Sequence, residues 1–417
     1  MNVALVGSMN TMELTLLLTF VISSVLIVYH HAGYPLLLKW LAKRQQQQST
    51  GFSAHIESKS QRHYRDQLGD ADLPTITVLV PAYNEAAWIA EKIRNLAALD
   101  YPTDKLKVVI ACDGCCDNTV EIAQDTIQEA ICSEVLFEIH DHPINRGKVA
   151  VINHEMASIC SDITAISDVS ALISVDSLLL AAAHFDDPKT GVVNACYRML
   201  CNGGSSEEAY WRYQTQIKAT EASIGSSIGS HGAFYLFRTE LFTPLALNTI
   251  NDDFVLPMLI VKKGHKADYE TRMVAIELEA SSTQQDFARR LRISAGNMQQ
   301  LIQLASLLNP KFGGTAFTLF SGKGLRLLTP YLMLLCLLSS LLLSHYFFFA
   351  LMLTAQWALY GTALIGYYWP KSKQLKPVNL IHYLVVGHFA NLTGGLRYLL
   401  GKENGQWSRI NQNGEQL

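Results

Sequence analysis

Charge is what this chain has least of. Asp, Glu, Lys and Arg make up 17% of its 417 residues, where an average globular composition carries about 25%. Neither sign dominates, because the formal net charge is −3. Without a basic surplus, nucleic acid is not an expected partner. The 49% hydrophobic content excludes disorder beyond short segments. A cysteine-dense framework is also missing. The eight cysteines (Cys112, Cys115, Cys116, Cys132, Cys160, Cys196, Cys201, Cys336) are spread through a long chain. The cluster at 112–116 has no nearby second Cys or His pair to complete a tetrahedral zinc site. All eight read as reduced thiols, and no internal repeat is visible.

The shortage of charge is local. Residues 14–38 and 327–370 contain no charged side chain. A hydrocarbon core of about 30 Å takes about 20 apolar helical residues, which argues against a wholly soluble protein. The first run exceeds a signal-peptide core and lacks a basic n-region and a small-residue cleavage site, so an uncleaved anchor is expected. The second is long enough for two spans with a turn near Ser344 and His345. Residues 378–396 are uncharged but rich in His, Gly and Asn, and read equally as a further span or an interfacial helix. Lys39, Lys43 and Arg44, then Lys323 and Arg326, then Lys371, Lys373 and Lys376 flank these runs. All three sets fall on one side if the intervening region is cytoplasmic. The expected division is an anchor at 1–40, a polar linker at 41–72, a soluble domain at 73–310 and a membrane region at 311–417. Within the last, two spans are expected at about 327–369 and a third or interfacial segment at about 378–400. The expected location is a membrane, a bacterial inner membrane, with the large domain in the cytoplasm.

From about Leu73 to Pro310 the pattern is that of a soluble α/β domain. Short β-branched runs at 75–80, 106–111, 135–139 and 163–166 alternate with helical spacing at 86–99, 118–130 and 148–159. That alternation predicts a mostly parallel sheet with helices on both faces. Open α/β sheets bind ligands beyond the carboxyl ends of their strands. Three such ends carry polar groups: Pro81-Ala-Tyr-Asn-Glu85, Asp113-Gly-Cys-Cys-Asp117 and Asp168-Val-Ser170. One acidic strand end is an ordinary helix cap, but three in succession mark a candidate site.

These residues resemble family 2 glycosyltransferases. Pro81-Ala-Tyr-Asn-Glu85, Asp100-Tyr-Pro102 and Asp113-Gly114 with Asp117 and Thr119 are similar to the nucleotide-binding half of that family. Asn145-Arg-Gly-Lys148 resembles its Gly-Lys segment, Asp168-Val-Ser170 its Asp-x-Asp, and Asn251-Asp-Asp253 its Glu-Asp motif. Arg289-Arg-Leu-Arg292 resembles its Gln-x-x-Arg-Trp region. With flanking membrane helices, the arrangement looks like the branch that includes cellulose and hyaluronan synthases. The resemblance implies a GT-A-type, Rossmann-like α/β domain with a mostly parallel central sheet, flanked by transmembrane helices. It implies an inverting, metal-dependent transfer of a sugar from a nucleotide-sugar, usually a UDP-sugar, to a polysaccharide or lipid-linked acceptor at the bilayer.

The resemblance assigns roles residue by residue. Pro81, Tyr83, Glu85, Asp113 and Gly114 would hold the nucleoside, with Tyr83 as a stacking surface and Gly114 allowing close backbone approach. Asp168 and Ser170 would hold a divalent cation, Mg2+ or Mn2+, through hard oxygen ligands. Lys148 and Arg292 would meet the diphosphate, although the arginines at 289–292 also suit anionic lipid headgroups. Asp253 would be the general base, with Asp252 as the alternative. His231 and Gly232 belong to the acceptor region, where His231 is otherwise a structural residue. Ser170 replaces the second acid, and Ile293 stands where the family has Trp, which leans away from processive synthesis. A processive polysaccharide synthase and a catalytically inactive scaffold subunit remain the alternatives.

Overall fold

The computed structural model describes residues 10–46, 70–200, 205–279 and 283–402. Most of the linker expected at 41–72 lies outside the described residues. These residues divide into two units. Residues 38–285 with 302–318 form an α/β unit, and residues up to 37, 286–301 and from 319 onward form a helical one.

In the α/β unit, strand β1 (Ile76–Ala82) is buried along its whole length. Both of its faces are covered, which is why it reads as a continuous apolar run and not as an alternation. It lies between β2 (Leu106–Asp113) and β4 (Ile163–Ile166), and β3 (Leu136–His142) sits outside β2. All three pairings are parallel. The sheet continues through β5 (Ala171–Ile173), β6 (Thr190–Met199), β7 (Tyr235–Arg238) and β8 (Lys266–Glu277). The order is β3-β2-β1-β4-β7-β6-β8-β5. Only β7 and β5 run against their neighbours among the described strands. The sheet is mostly parallel, as the alternation predicted.

The helices close earlier than their spacing suggested. Helix α3 (Ile89–Ala97), which follows α1 (Thr11–Val28) and α2 (Tyr34–Gln46) of the N-terminal segment, buries Ile89, Lys92, Ile93 and Leu96. Those positions form one face at i, i+3, i+4 and i+7. Helix α4 (Thr119–Thr126) ends before a separate turn at Ala130–Cys132. Helix α5 (Lys148–Glu155) stops short of residue 159, and α6 (Ser177–His184) is buried throughout. Helix α7 (Ser205–Ile224) lies against β6 and β8.

Among the described residues, three continuous helical stretches are long and apolar enough to cross a membrane: Thr11–Arg44, Gly314–Leu342 and Phe347–Tyr368. The first joins α1 to α2 through a π-helical turn, Tyr29–Gly33. A second π turn, Leu319–Gly324, lies in the next stretch. The two turns meet: Tyr29 Oη is 3.0 Å from Ser321 Oγ, and His30 Nδ1 is 3.0 Å from the Ser321 carbonyl. A π turn leaves backbone groups out of the regular ladder, and here the side chains of one turn occupy those of the other. The C-terminal helix Lys376–Leu399 has the length of a span, and its composition keeps it out of that set.

A buried ion pair braces the far side of the sheet. His184 Nε2 lies 3.1 Å from Glu270 Oε2, and Nδ1 lies 3.3 Å from Asp268 Oδ2. Burial works to lower the imidazole pKa, but hydrogen bonds to Asp268 and Glu270 outweigh it and raise it to about 9. The folded state therefore holds this proton more tightly than the unfolded chain does. The stabilisation is complete below the unfolded value of about 6.5 and disappears as pH rises through 9. We expect His184→Asn to cost on the order of 3 kcal/mol at pH 6 and much less at pH 9.5. Thermal unfolding of the two proteins at both pH values checks this.

Candidate active site

The acids singled out in the sequence converge at the carboxyl edge of the sheet. Asp168 follows β4, and Lys148 opens α5. Lys148 Nζ is 2.7 Å from Asp168 Oδ1 and 3.6 Å from Asp252 Oδ2. Asp252 and Asp253 form the first turn of α8 (Asp252–Lys262), where the positive end of the helix dipole favours carboxylates. Burial opposes the Lys148 ammonium, but the charges of Asp168, Asp252 and Asp253 override it and hold its pKa above the usual lysine range. Asp252 Oδ2 is buried without a hydrogen-bond partner among the described residues. Tyr235 on β7 is fully buried beside this cluster. Its burial, then the charges of Asp252, Asp253 and Asp168, push the phenol pKa well up.

Gly232 is the hinge between the acids. Its N–H donates to Asp253 Oδ2 at 3.1 Å, and its carbonyl accepts from the Asp168 N–H at 3.2 Å. A Cβ at this position would stand 2.8 Å from Asp168 Oδ2. His231 is half-buried: its ring stacks on Tyr197 at 3.8 Å, with Trp211 edge-on at 5.4 Å. Pro257 lies inside α8. Having no N–H, it leaves the Asp253 carbonyl without its usual helical donor. The Ser230 N–H takes that place at 3.0 Å.

The two preceding strand ends are bound to one another. Asp113 is fully buried, and its carboxylate accepts from the Arg146 N–H at 3.0 Å and the Gly147 N–H at 2.7 Å. It therefore fixes the loop that delivers Lys148. Gly114 has φ +64°, and a Cβ there would lie 2.2 Å from the Asn145 nitrogen. Tyr83 is buried, and Glu85 is half-buried with its N–H donating to Thr119 Oγ1 at 2.7 Å. Pro81, one residue before the end of β1, is in register with Ala111.

Some contributors were not singled out from the sequence. Asn84 holds φ +54°, a region that Asn tolerates better than most residues. Its Oδ1 accepts from the Cys116 N–H at 2.9 Å, which joins the first two strand-end loops. Lys92 is fully buried beneath the Asp168–Ser170 turn. Its ammonium donates to Ser167 Oγ at 2.6 Å and to the Ala171 carbonyl at 2.5 Å. Burial pushes its pKa down to about 7, against the pull of Asp168 and Glu277. A lone lysine on an otherwise apolar helix face was its signal. Ser170 is itself buried. Arg292 and Ile293 lie on α9 (Thr283–Gln303), in the part that belongs to the helical unit. There Ser294 Oγ donates to Asn391 Oδ1 at 2.9 Å.

The residues fit a hard divalent cation. Asp168, Asp252 and Asp253 surround one ammonium, so negative charge is in excess, and one buried carboxylate oxygen has no donor. Oxygen ligands of this kind suit Mg2+ or Mn2+.

Comparison with known proteins gives the family and the fold. Residues 74–296 match the family model described as glycosyltransferase like family 2. A beta-monoglucosyldiacylglycerol synthase of Trichormus variabilis is 32% identical over 150 residues, 36% of this chain and 31% of that protein. A poly-beta-1,6-N-acetyl-D-glucosamine synthase of Staphylococcus aureus is 23% identical over 240 residues, 56% of this chain and 57% of that one. The alignments thus cover about a third to just over half of these relatives. A mannosyltransferase from Pyrobaculum calidifontis, solved in complex with GDP-Man and Mn2+, superimposes with a TM-score of 0.66 at 21% identity. That match covers 92% of this chain and 100% of the other. The fold is of the GT-A type.

Gly114→Ala tests how tightly the strand-end loops are joined. A left-handed alanine costs about 1–2 kcal/mol before the clash with Asn145 is added. We expect a loss of at least about 2 kcal/mol, read as a lowered Tm of the α/β unit.

Proposed function

The chain belongs to the glycosyltransferase like family 2, and from that premise we propose that it is a membrane-bound inverting glycosyltransferase. It moves a sugar from a nucleotide-sugar donor, a UDP-sugar, to a lipid-linked or polysaccharide acceptor. The observation that carries the reading is the meeting of Asp168, Lys148, Asp252 and Asp253 around Gly232.

Asp253 is the general base. Its carboxylate takes the proton of the acceptor hydroxyl as that oxygen attacks the anomeric carbon from the face opposite the nucleotide. The new glycosidic bond forms as the bond to the nucleoside diphosphate breaks, and the leaving group keeps the electron pair. The Gly232 N–H fixes the orientation of the carboxylate. Asp252, paired with Lys148, is held as an acceptor of that charge and not as the base. Lys148 neutralises the acids until the donor arrives and then meets the diphosphate, at a helix N-terminus suited to anions. Asp168, with Ser170 beside it, would hold Mg2+ or Mn2+. When bound, the cation offsets the charge that builds on the departing diphosphate. Pro81, Tyr83, Glu85, Asp113 and Gly114 shape the nucleoside end of the site. Arg292 is assigned to the diphosphate on family resemblance, and His231 to the wall of the acceptor region.

The basic residues flanking the apolar helices support a cytoplasmic catalytic unit. Membrane anchoring suits an acceptor that is itself at the bilayer. The names of the relatives point to a glycolipid in one case and a polymer in the other. A product of one added sugar supports single transfer, and a ladder of products supports a processive synthase.

Membranes containing wild type or Asp253→Asn, supplied with a panel of nucleotide sugars and Mn2+, test the assignment. The expected outcome is a fall in nucleoside diphosphate release of about 10²–10⁴-fold for the variant. Equal release by both proteins would overturn the base. Chelation of divalent cations, or Asp168→Asn, is expected to abolish turnover of the preferred donor. Full activity in excess EDTA would remove the cation from the mechanism.

A further inference from the structure

A second cluster of ligating side chains lies apart from the acids. Side chains two apart on a strand share a face, so His140 and His142 of β3 point the same way. Against that face lie His154 and Glu155, the last two residues of α5. The Glu155 side chain is 2% exposed. Among the described residues its ion-pair partners are three imidazoles, with no Lys or Arg. His142 Nε2 is 2.8 Å and His154 Nδ1 is 3.2 Å from Oε1, and His140 Nδ1 is 2.6 Å from Oε2.

A buried carboxylate needs a compensating charge, and a bound cation supplies it. The ligand atoms of His142, His154 and Glu155 all lie within 4.8 Å of one another. Two of those separations, 2.8 and 3.2 Å, are near the edge of a tetrahedron with bonds of about 2.0 Å, which is about 3.3 Å. The His142 and His154 rings meet edge-on, 5.0 Å apart at 82°. His140 bonds the remaining carboxylate oxygen and lies 3.4 Å from Glu138 Oε2, which in turn pairs with Lys107 at 2.8 Å. An outer layer of this kind orients metal ligands. The His154 side chain is 56% exposed, which gives an ion a route in and leaves room for a water ligand.

We propose that His142, His154 and Glu155 bind a transition-metal ion of the Zn2+ type, with His140 as the positioning residue for Glu155. The donor set separates it from the active site, because two imidazoles and one carboxylate suit Zn2+ and an all-oxygen set suits Mg2+ or Mn2+. The ion ties the edge strand to the helix that begins with Lys148. The His142 carbonyl also accepts the Gly114 N–H at 2.8 Å, so the clamp reaches the nucleoside end of the active site.

The test uses untagged full-length protein in detergent, stripped with EDTA and titrated calorimetrically with ZnCl2 in excess Mg2+. Wild type is expected to take up one equivalent of Zn2+. Co2+ at the same site is expected to give the intense visible bands of tetrahedral coordination. His154→Ala, at a half-exposed position, is expected to keep its Tm without Zn2+ and to weaken Zn2+ binding by at least about tenfold. His140→Ala should weaken it about tenfold through loss of orientation, and Asp168→Asn should leave it unchanged. No uptake by wild type, or equal affinity in wild type and His154→Ala, overturns the site. So does loss of Zn2+ binding in Asp168→Asn alone, which would place the ion among the acids.

Discussion

One ammonium among three carboxylates sets the geometry on which this active site depends. Lys148 sits 2.7 Å from Asp168 and 3.6 Å from Asp252, and it arrives there because the loop before α5 is held from behind. That hold is the buried Asp113 carboxylate on the N–H groups of Arg146 and Gly147. The loop lies so close to Gly114 that no side chain fits there. A residue whose family resemblance suggests nucleoside contact is thus also the brace for the lysine among the acids. Two strand ends that look independent in sequence operate as one piece.

The sheet and the acidic strand ends were legible in the sequence because parallel strands covered on both faces leave continuous β-branched runs. Turn residues then mark where those runs stop. The long apolar helices were legible because a bilayer span demands a length of uncharged chain that few other environments do. Helix ends were less legible. The α4 and α5 patterns continue past Thr126 and Glu155 in amphipathic spacing, while the backbone turns away.

Residues that act from beneath the site were not legible in advance. Lys92 shows only as a charge on an apolar helix face, and its two partners lie more than 70 positions away. The histidine cluster draws on β3 and α5, and neither half carries a recognisable metal spacing. Arg292 shows the limit of motif reading. The resemblance sets it beside the donor-binding residues, while the chain groups its helix with the helical unit. Which side chains neighbour a helix is a property of packing, and local spacing does not contain it.

Pro257 has a consequence for engineering this protein. Replacing it with alanine would supply the missing N–H and make α8 a better helix by itself. That N–H would compete with Ser230 for the Asp253 carbonyl, and so loosen the segment leading to Gly232, which orients the Asp253 side chain. Gains in thermal stability made inside a functional element often reduce activity. Here the exchange has an address: consensus helix-building at position 257 would harden the scaffold and slacken the carboxylate proposed as the base.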